Sequence, residues 1–282
     1  AESNQDALDL HIQAFKIAEE LSLPVMVCMD GFILTHAYER VDMPQQAEVD
    51  RFLPPYEPRQ VLDPNDPVTI GAMVGPEAFA EVRYLAHAKQ MQALDLIPKV
   101  AEEFKRQFGR DSGGLIKPYL LEDADTIVIA MGSVLGTIKD VVDDLRAEGA
   151  KVGVLGITSY RPFPTEEIRR TTEKAKRIVV IEKCFAVGIG GIVSRDVRSA
   201  VRNRPQPVLT VVAGLGGRAI TKASVSKLLN DAMADKLELL TFLDLDWDMV
   251  NRVLDREKAH RRSGPVAEGI LRDLGTVSSR IS

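Results

Sequence analysis

Cysteine and histidine are scarce in this chain, with two of the first and four of the second among 282 residues. Neither type is spaced for a metal. Cys28 and Cys184 lack CxxC spacing and cannot hold an iron–sulfur cluster by themselves, and His11, His36, His87 and His260 show no HxxxH or HxH pairing. A metal site within this chain is therefore not expected. Both cysteines fall in or just after apolar runs and read as reduced core thiols of a cytoplasmic protein. Long apolar runs are missing too: residues 25–29 and 127–131 are far short of the roughly 20 residues that a membrane-spanning helix needs. No basic stretch followed by an apolar one opens the sequence, so neither a signal segment nor a membrane span is expected. Positive charge is not in excess. Thirty-six Lys and Arg against 41 Asp and Glu leave a net charge of -5, with no basic stripe to track phosphates, and nucleic acid is not expected as a partner. Also absent are GxSxG, a Cys–His signature and a spaced carboxylate cluster, so the chain looks chemically incomplete.

What is present is a run of α/β punctuation. Ser3 can cap a helix with Asp6 three residues on, and Leu8, Ile12 and Phe15 recur at helical spacing. Residues 24–29, Pro-Val-Met-Val-Cys-Met, form a continuous apolar run of the kind found in a parallel strand buried on both faces. One helix and one strand do not make a domain, so the expectation is the end of an α/β domain whose other strands come from residues absent here. Pro44, Pro54, Pro55, Pro58, Pro64, Pro67 and Pro76, seven of the fifteen prolines, mark a draped linker that cannot form a central strand. A helix is predicted from Glu77 with Phe79, Val82, Leu85 and Ala86 on one face, and a second from Pro98 to Phe108, closed by glycines at 109–114.

From Asp125 the alternation is regular. Predicted strands at 126–131, 152–157, 178–181 and 208–213 alternate with helices at 134–148, a short one capped by Thr165, 192–201 and one capped by Thr221. Four such rounds imply a doubly wound open parallel sheet with right-handed crossovers. Residues 237–245 are apolar with interleaved acids, and 252–262 read as a charged helical stretch of an extension that packs on a partner. The expected division is 1–45, 46–118, 119–232 and 233–282.

In an open parallel sheet, ligands gather beyond the carboxyl ends of the strands, where helix N-termini offer free N–H groups. Candidate positions follow from that rule. Gly214, Gly216, Gly217 and Arg218 could cradle a phosphate, although their spacing is neither GxGxxG nor a P-loop, and a tight turn at an interface is the preferred reading. Glycines at 188–191 read as a helix-start turn. Arg161 and Phe163, between two prolines' worth of rigidity, suit either a binding loop or an interface anchor, the latter being preferred. Glu182 and Lys183 could be an acid–base pair but read first as a surface ion pair. Asp30 and His36 could reach a cleft, yet a histidine without an orienting acid or a nucleophile is more often structural.

Several stretches taken in order resemble one family. They are Asn4-Gln5, residues 25–36 (Val-Met-Val-Cys-Met-Asp-Gly-Phe-Ile-Leu-Thr-His), Phe108-Gly-Arg with Gly113-Gly-Leu-Ile, Glu122-Asp-Ala-Asp, Met131-Gly-Ser, Arg161-Pro-Phe-Pro, Glu182-Lys183 and residues 214–218. The family is the 2-oxoacid:ferredoxin oxidoreductases, and the stretches resemble the later part of the α subunit of pyruvate:ferredoxin oxidoreductase, or pyruvate synthase.

The resemblance implies an α/β fold in which a transketolase C-terminal-like doubly wound parallel sheet follows the end of a thiamine pyrimidine-binding domain. It also implies oxidative decarboxylation of a 2-oxoacid with coenzyme A, thiamine diphosphate with Mg, [4Fe-4S] clusters, and β, γ and δ-type subunits that pass electrons to ferredoxin. The family's thiamine-activating glutamate and substrate-reading residues lie upstream of residue 1, so no catalytic residue is carried over and the chain is expected to be inactive alone. Cofactors would be bound by other subunits or missing residues. Ala219-Ile220 and Ser112 depart from many relatives, and residues 235–282 carry no part of the resemblance. Three readings stay open: the pyruvate enzyme or its phenylglyoxylate, 2-oxoisovalerate or oxalate branches, a structural interaction subunit, and a nucleotide-binding electron-transfer module.

Overall fold

The computed structural model describes residues 1–69, 71–259 and 264–276, divided into two compact units, Ala1–Thr241 and Phe242–Ser282. The first helix, α1 (Asn4–Leu21), starts as the sequence predicts, with the Ser3 side chain accepting from the Asp6 N–H. Its buried face is partly polar: Asp6, Asp9 and Gln13 are buried, whereas Phe15 is 61% exposed. Residues 24–29 are not a strand. They run without regular structure, with Met26 84% exposed, because no strand among the described residues lies beside them to complete a ladder. Cys28, expected in a core, is exposed, and Cys184 is half-buried; both are free thiols. A short helix, α2 (Ile33–His36), follows.

The proline-rich segment holds one helix, α3 (Gln46–Phe52), which buries Phe52 edge-on to Phe104 at a centroid distance of 5.5 Å. Beyond it, α4 (Phe79–Phe108) is a single helix with Pro98 inside rather than the two helices expected. Proline at 98 forfeits one intrahelical bond, but Ala93 and Val100 are both buried on either side of it and carry the packing across the break. The face of Phe79, Val82 and Leu85, expected to be inward, is exposed. Gly109, at φ 70, closes the helix as predicted.

Six strands form one sheet: β1 (Ile116–Tyr119), β2 (Thr126–Ala130), β3 (Val152–Ile157), β4 (Arg177–Glu182), β5 (Val208–Val212) and β6 (Leu240–Phe242), in the order β1-β3-β2-β4-β5-β6. The four strands read from apolar runs, β2 to β5, are parallel, with Val128 between Val154 and Val179. The sheet is nevertheless mixed, since β1 runs antiparallel to β3 at an edge. Pro118 lies within it, and an edge is the place where a strand tolerates a missing donor.

Five helices follow in this region: α5 (Val134–Ala147), α6 (Thr165–Thr171), α7 (Val193–Ala200), α8 (Lys222–Met233) and, in the second unit, α9 (Trp247–Ala259). Helix α5 packs on α8 and α6 on α7, a doubly wound arrangement. Ile138, Val142, Ile127, Ile129, Leu155 and Ile178 are at most 1% exposed, and fully burying each such side chain contributes roughly 1.5–3 kcal/mol. Thr221 caps α8 by accepting from Ser224 N–H. Thr165 does not cap α6; it is the first helical residue, after Pro164. The second unit also contains α10 (Val266–Asp273), joined to α9 by the Arg256–Asp273 pair at 2.6 Å. The charged stretch is helical through Ala259, and residues 260–263, His260 included, lie outside the described residues.

Candidate functional site

Strand order reverses between β2 and β4, since β2 leads across to β3 on one side and the chain then returns to β4 on the other. Such a switch point is where an open α/β sheet takes its ligands. Beyond the carboxyl ends of these strands stand Gly132-Ser133 and Glu182-Lys183. A cleft of about 630 Å³ opens there, walled on one side by α1 and residues 23–30 and on the other by the strand ends. Met131, Ile157, Ile181 and Val193 supply apolar floor, and Arg161 and Lys183 are among its polar groups.

The two helices entering this crevice have no side-chain cap of their own at the N-terminus, neither α5 at Ser133 nor α7 at Ile192. Each receives a carboxylate from elsewhere. Glu182, only 5% exposed, accepts from the N–H groups of Ile192, Val193 and Ser194 at 2.8, 2.7 and 3.0 Å. It is neither a surface ion pair nor half of an acid–base pair; the end of β4 points it into the start of α7, where three orphan donors and the helix dipole favour a negative charge. Gly191 makes room for it, because a Cβ there would lie 2.0 Å from Glu182 Oε1.

Asp30 fills the equivalent place at α5. Its Oδ2 accepts from the Ser133 N–H at 2.8 Å and from the Ser133 hydroxyl, and Lys183 Nζ stands 3.8 Å from Oδ1. Asp30 is among the residues that line the crevice, and His36 is not. That ring is exposed, stacks on Phe32 at 4.6 Å and shares a 2.9 Å hydrogen bond with the Thr35 hydroxyl.

Arg161 stacks over Tyr160, 4.1 Å from the ring centroid, and donates to Asp196 Oδ2 at 2.8 Å. Tyr160 donates to the same oxygen. Burial, then the hydrogen bond to Asp196, pushes the phenol up to about 12. Phe163 packs against the core cluster beneath β2 and β4 instead of tipping a loop. At Cys184, burial and then the Glu182 carboxylate push the thiol up. Gly214, Gly216 and Gly217 have φ of 72, 66 and 82 around a single 3₁₀ turn at Leu215–Gly217, conformations that suit glycine, and Arg218 is exposed.

Sequence reading missed a second polar constellation. Asp9, 0% exposed, accepts two bonds from Arg110 Nε at 3.1 and 2.9 Å, one from its Nη2 at 2.7 Å, and one from the Ser112 hydroxyl at 2.8 Å. Asp6 receives Lys117 at 2.8 Å, and Gln13 donates to Ser112 O at 3.1 Å. The Asp9 bond is the first cause of the raised Arg110 guanidinium. Asp6, Asp9 and Gln13 recur at helical spacing among apolar neighbours, which was the available signal. Among the described residues no group of three or more His, Cys, Asp and Glu is placed to hold a metal ion, and no helix is long and apolar enough to cross a membrane.

Comparison with known proteins places these features in context. Residues 124–225 match the family model described as pyruvate:ferredoxin oxidoreductase core domain II. Residues 1–102 match the one described as pyruvate flavodoxin/ferredoxin oxidoreductase, thiamine diP-bdg. The chain is 44% identical over 235 residues to pyruvate synthase subunit PorA of Methanosarcina barkeri, covering 82% of this chain and 58% of that one. It is 41% identical over 260 residues to the PorA subunit of Pyrococcus furiosus, 89% of this chain and 65% of that one. Against ketoisovalerate oxidoreductase subunit VorA of Pyrococcus horikoshii identity is 38% over 234 residues, 82% of this chain and 59% of that one. The chain thus spans 58 to 65% of the length of these relatives.

Proposed function

The chain belongs to the 2-oxoacid:ferredoxin oxidoreductase family as an α-type subunit, and from that premise we propose that it works within a multisubunit enzyme that oxidatively decarboxylates pyruvate. In that reaction pyruvate and coenzyme A yield acetyl-CoA and CO2, with two electrons passed singly through [4Fe-4S] clusters to ferredoxin. Pyruvate is preferred to 2-oxoisovalerate because identity to PorA subunits runs from 39 to 44% against 38% to VorA.

The observation that carries the division of labour is the occupancy of the two helix N-termini at the crevice. Glu182 and Asp30 already occupy the helix N-termini that would hold a diphosphate in a sheet of this kind. The described residues therefore do not fit thiamine diphosphate with Mg at the switch point, and two cysteines do not fit a cluster. Those groups belong on β, γ and δ-type subunits or on further parts of the α subunit, and this chain would scaffold and orient them. We place residues 1–45 at the end of a pyrimidine-binding-type domain and 119–232 in a transketolase C-terminal-like domain, linked by 46–118 and extended by 233–282. A cytoplasmic location agrees with the free thiols. Exposed apolar side chains such as Met26, Phe32, Tyr84 and Leu85 supply docking area for the other subunits.

Co-expression with the partner subunits followed by analysis of the purified complex tests this reading. Thiamine and iron in stoichiometric amounts, with turnover of pyruvate faster than of 2-oxoisovalerate, is the expected result. A complex that contains this chain but neither thiamine nor iron would instead support a purely structural interaction subunit. In that case Arg218→Ala would disturb assembly and leave the kinetics of the assembled enzyme alone.

A further inference from the structure

Helix α4 changes character along its length. Its buried residues, Ala93, Val100 and Phe104, all come after Gln92, and the helix packs on α1 and α3. Residues 79–87, by contrast, are exposed without exception. Phe79, Val82 and Leu85 among them are 56, 45 and 63% exposed. A helix draws most of its stability from packing an apolar face, and no described residue buries this one. The charges on it form a pattern. Glu81 and Lys89 stand four residues before and four after Leu85, so the three share one face of the helix. Neither charge has an opposite one three or four residues away, and neither makes an ion pair among the described residues. Turned about a twofold axis through Leu85, the helix is complementary to itself. Glu81 meets Lys89 of the other copy, Lys89 meets Glu81, Val82 meets Ala88, and Leu85 meets Leu85. A parallel pair would set Glu81 beside Glu81 and Lys89 beside Lys89, so the charges select the antiparallel arrangement.

We propose that residues 79–92 of α4 pair antiparallel with the same residues of a second copy of this chain, with Leu85 on the twofold axis. The interface is isologous, so each contact occurs twice. Leu85 and Val82 bury apolar area at a helix spacing of about 8–10 Å. The two Glu81–Lys89 pairs set direction and register more than strength, since exposed ion pairs contribute little. One helical stretch of this length falls short of the roughly 800 Å² per partner of a standard interface. The isolated chain therefore dimerises weakly, in proportion to its concentration. Tyr84 and Met91 lie on another face of α4 and stay open to other subunits. The pairing rests on no part of the proposed reaction, since mass and not activity reports it.

Sedimentation velocity of the full chain over a range of concentrations measures the pairing, and a concentration-dependent dimer is expected. Leu85→Lys, which puts two ammonium groups on the axis, should abolish it. Glu81→Lys and Lys89→Glu each turn both ion pairs into like-charge contacts. Each should raise the dissociation constant at least about tenfold, and the double variant, with opposite charges restored in the same register, should return it to within about threefold of the parent. Leu85 and Glu81 are exposed and Lys89 is half-buried, so the fold should survive these changes, which circular dichroism checks for each variant. A chain that stays monomeric at every concentration would overturn the proposal. So would a dimer indifferent to Leu85→Lys, or a double variant that associates no better than the single ones. If Leu85→Lys instead releases a co-expressed subunit while the chain alone does not self-associate, the face belongs to that subunit and the proposal is overturned.

Discussion

Asp9→Ala is expected to lower stability by about 3–5 kcal/mol, because it removes one partner of a buried ion pair and leaves the other behind. Asp9 is fully buried and its oxygens take three bonds from Arg110 and one from Ser112. Alanine would strand the guanidinium, which is 23% exposed and packs over Phe104 and Phe108 at 5.6 and 5.7 Å. The arginine could not swing freely into water without abandoning those rings. Asp9→Asn should recover part of the loss, since an amide oxygen can still accept one bond. Guanidinium chloride melts followed by circular dichroism measure the difference. Removing Lys105, whose ion pair with Asp111 is solvent-exposed, should leave the midpoint nearly unchanged. A loss at Asp9 no larger than that at Lys105 would mean that α1 is not tied to residues 110–117 through this pair.

Glu182→Ala should cost at least about 2 kcal/mol, as three backbone donors at the start of α7, those of Val193 and Ser194 buried, lose a carboxylate acceptor. Glu182→Gln tests charge apart from shape: the amide can accept at one atom, but its NH2 would face donors. Gly191→Ala reaches the same site from the other side, since its Cβ would displace the carboxylate. The side chain that must move is held by three bonds, so the loss should approach that of Glu182→Ala. Amide exchange resolved over residues 191–200 checks all three, with protection expected to fall locally in α7 before it falls in β2. If these amides keep their protection in Glu182→Ala, the carboxylate is not what organises the turn.

The parallel core was legible because its signal is local. Strands β2 to β5 are continuous apolar runs bounded by turn residues, and α5 repeats apolar positions on one face. Where local signals compete with tertiary ones, reading failed. Residues 24–29 carry the composition of a buried strand, but no strand among the described residues lies beside them to complete a ladder. Pro98 looks like a helix start, and only the buried flank from Ala93 to Phe104 carries α4 through it. Pro118 hides β1.

At the crevice, the places were legible from the rule about strand ends, while the roles were not. Glu182 pairs with donors 10 to 12 residues away and Asp30 with one 103 residues away, separations that no motif encodes. Phe163, singled out for an exposed loop, is held by the core. The polar face of α1 went unread because three polar residues at helical spacing normally mean solvent.

The central claim is that this chain organises chemistry that it does not itself perform. Pyruvate- and coenzyme A-dependent reduction of methyl viologen under anaerobic conditions tests it, run first on the purified chain and then on the chain assembled with its partner subunits. The account predicts no reduction by the chain alone, with thiamine diphosphate, Mg and iron supplied, and sustained reduction by the assembly. Sustained, thiamine-dependent reduction by the chain alone would contradict it.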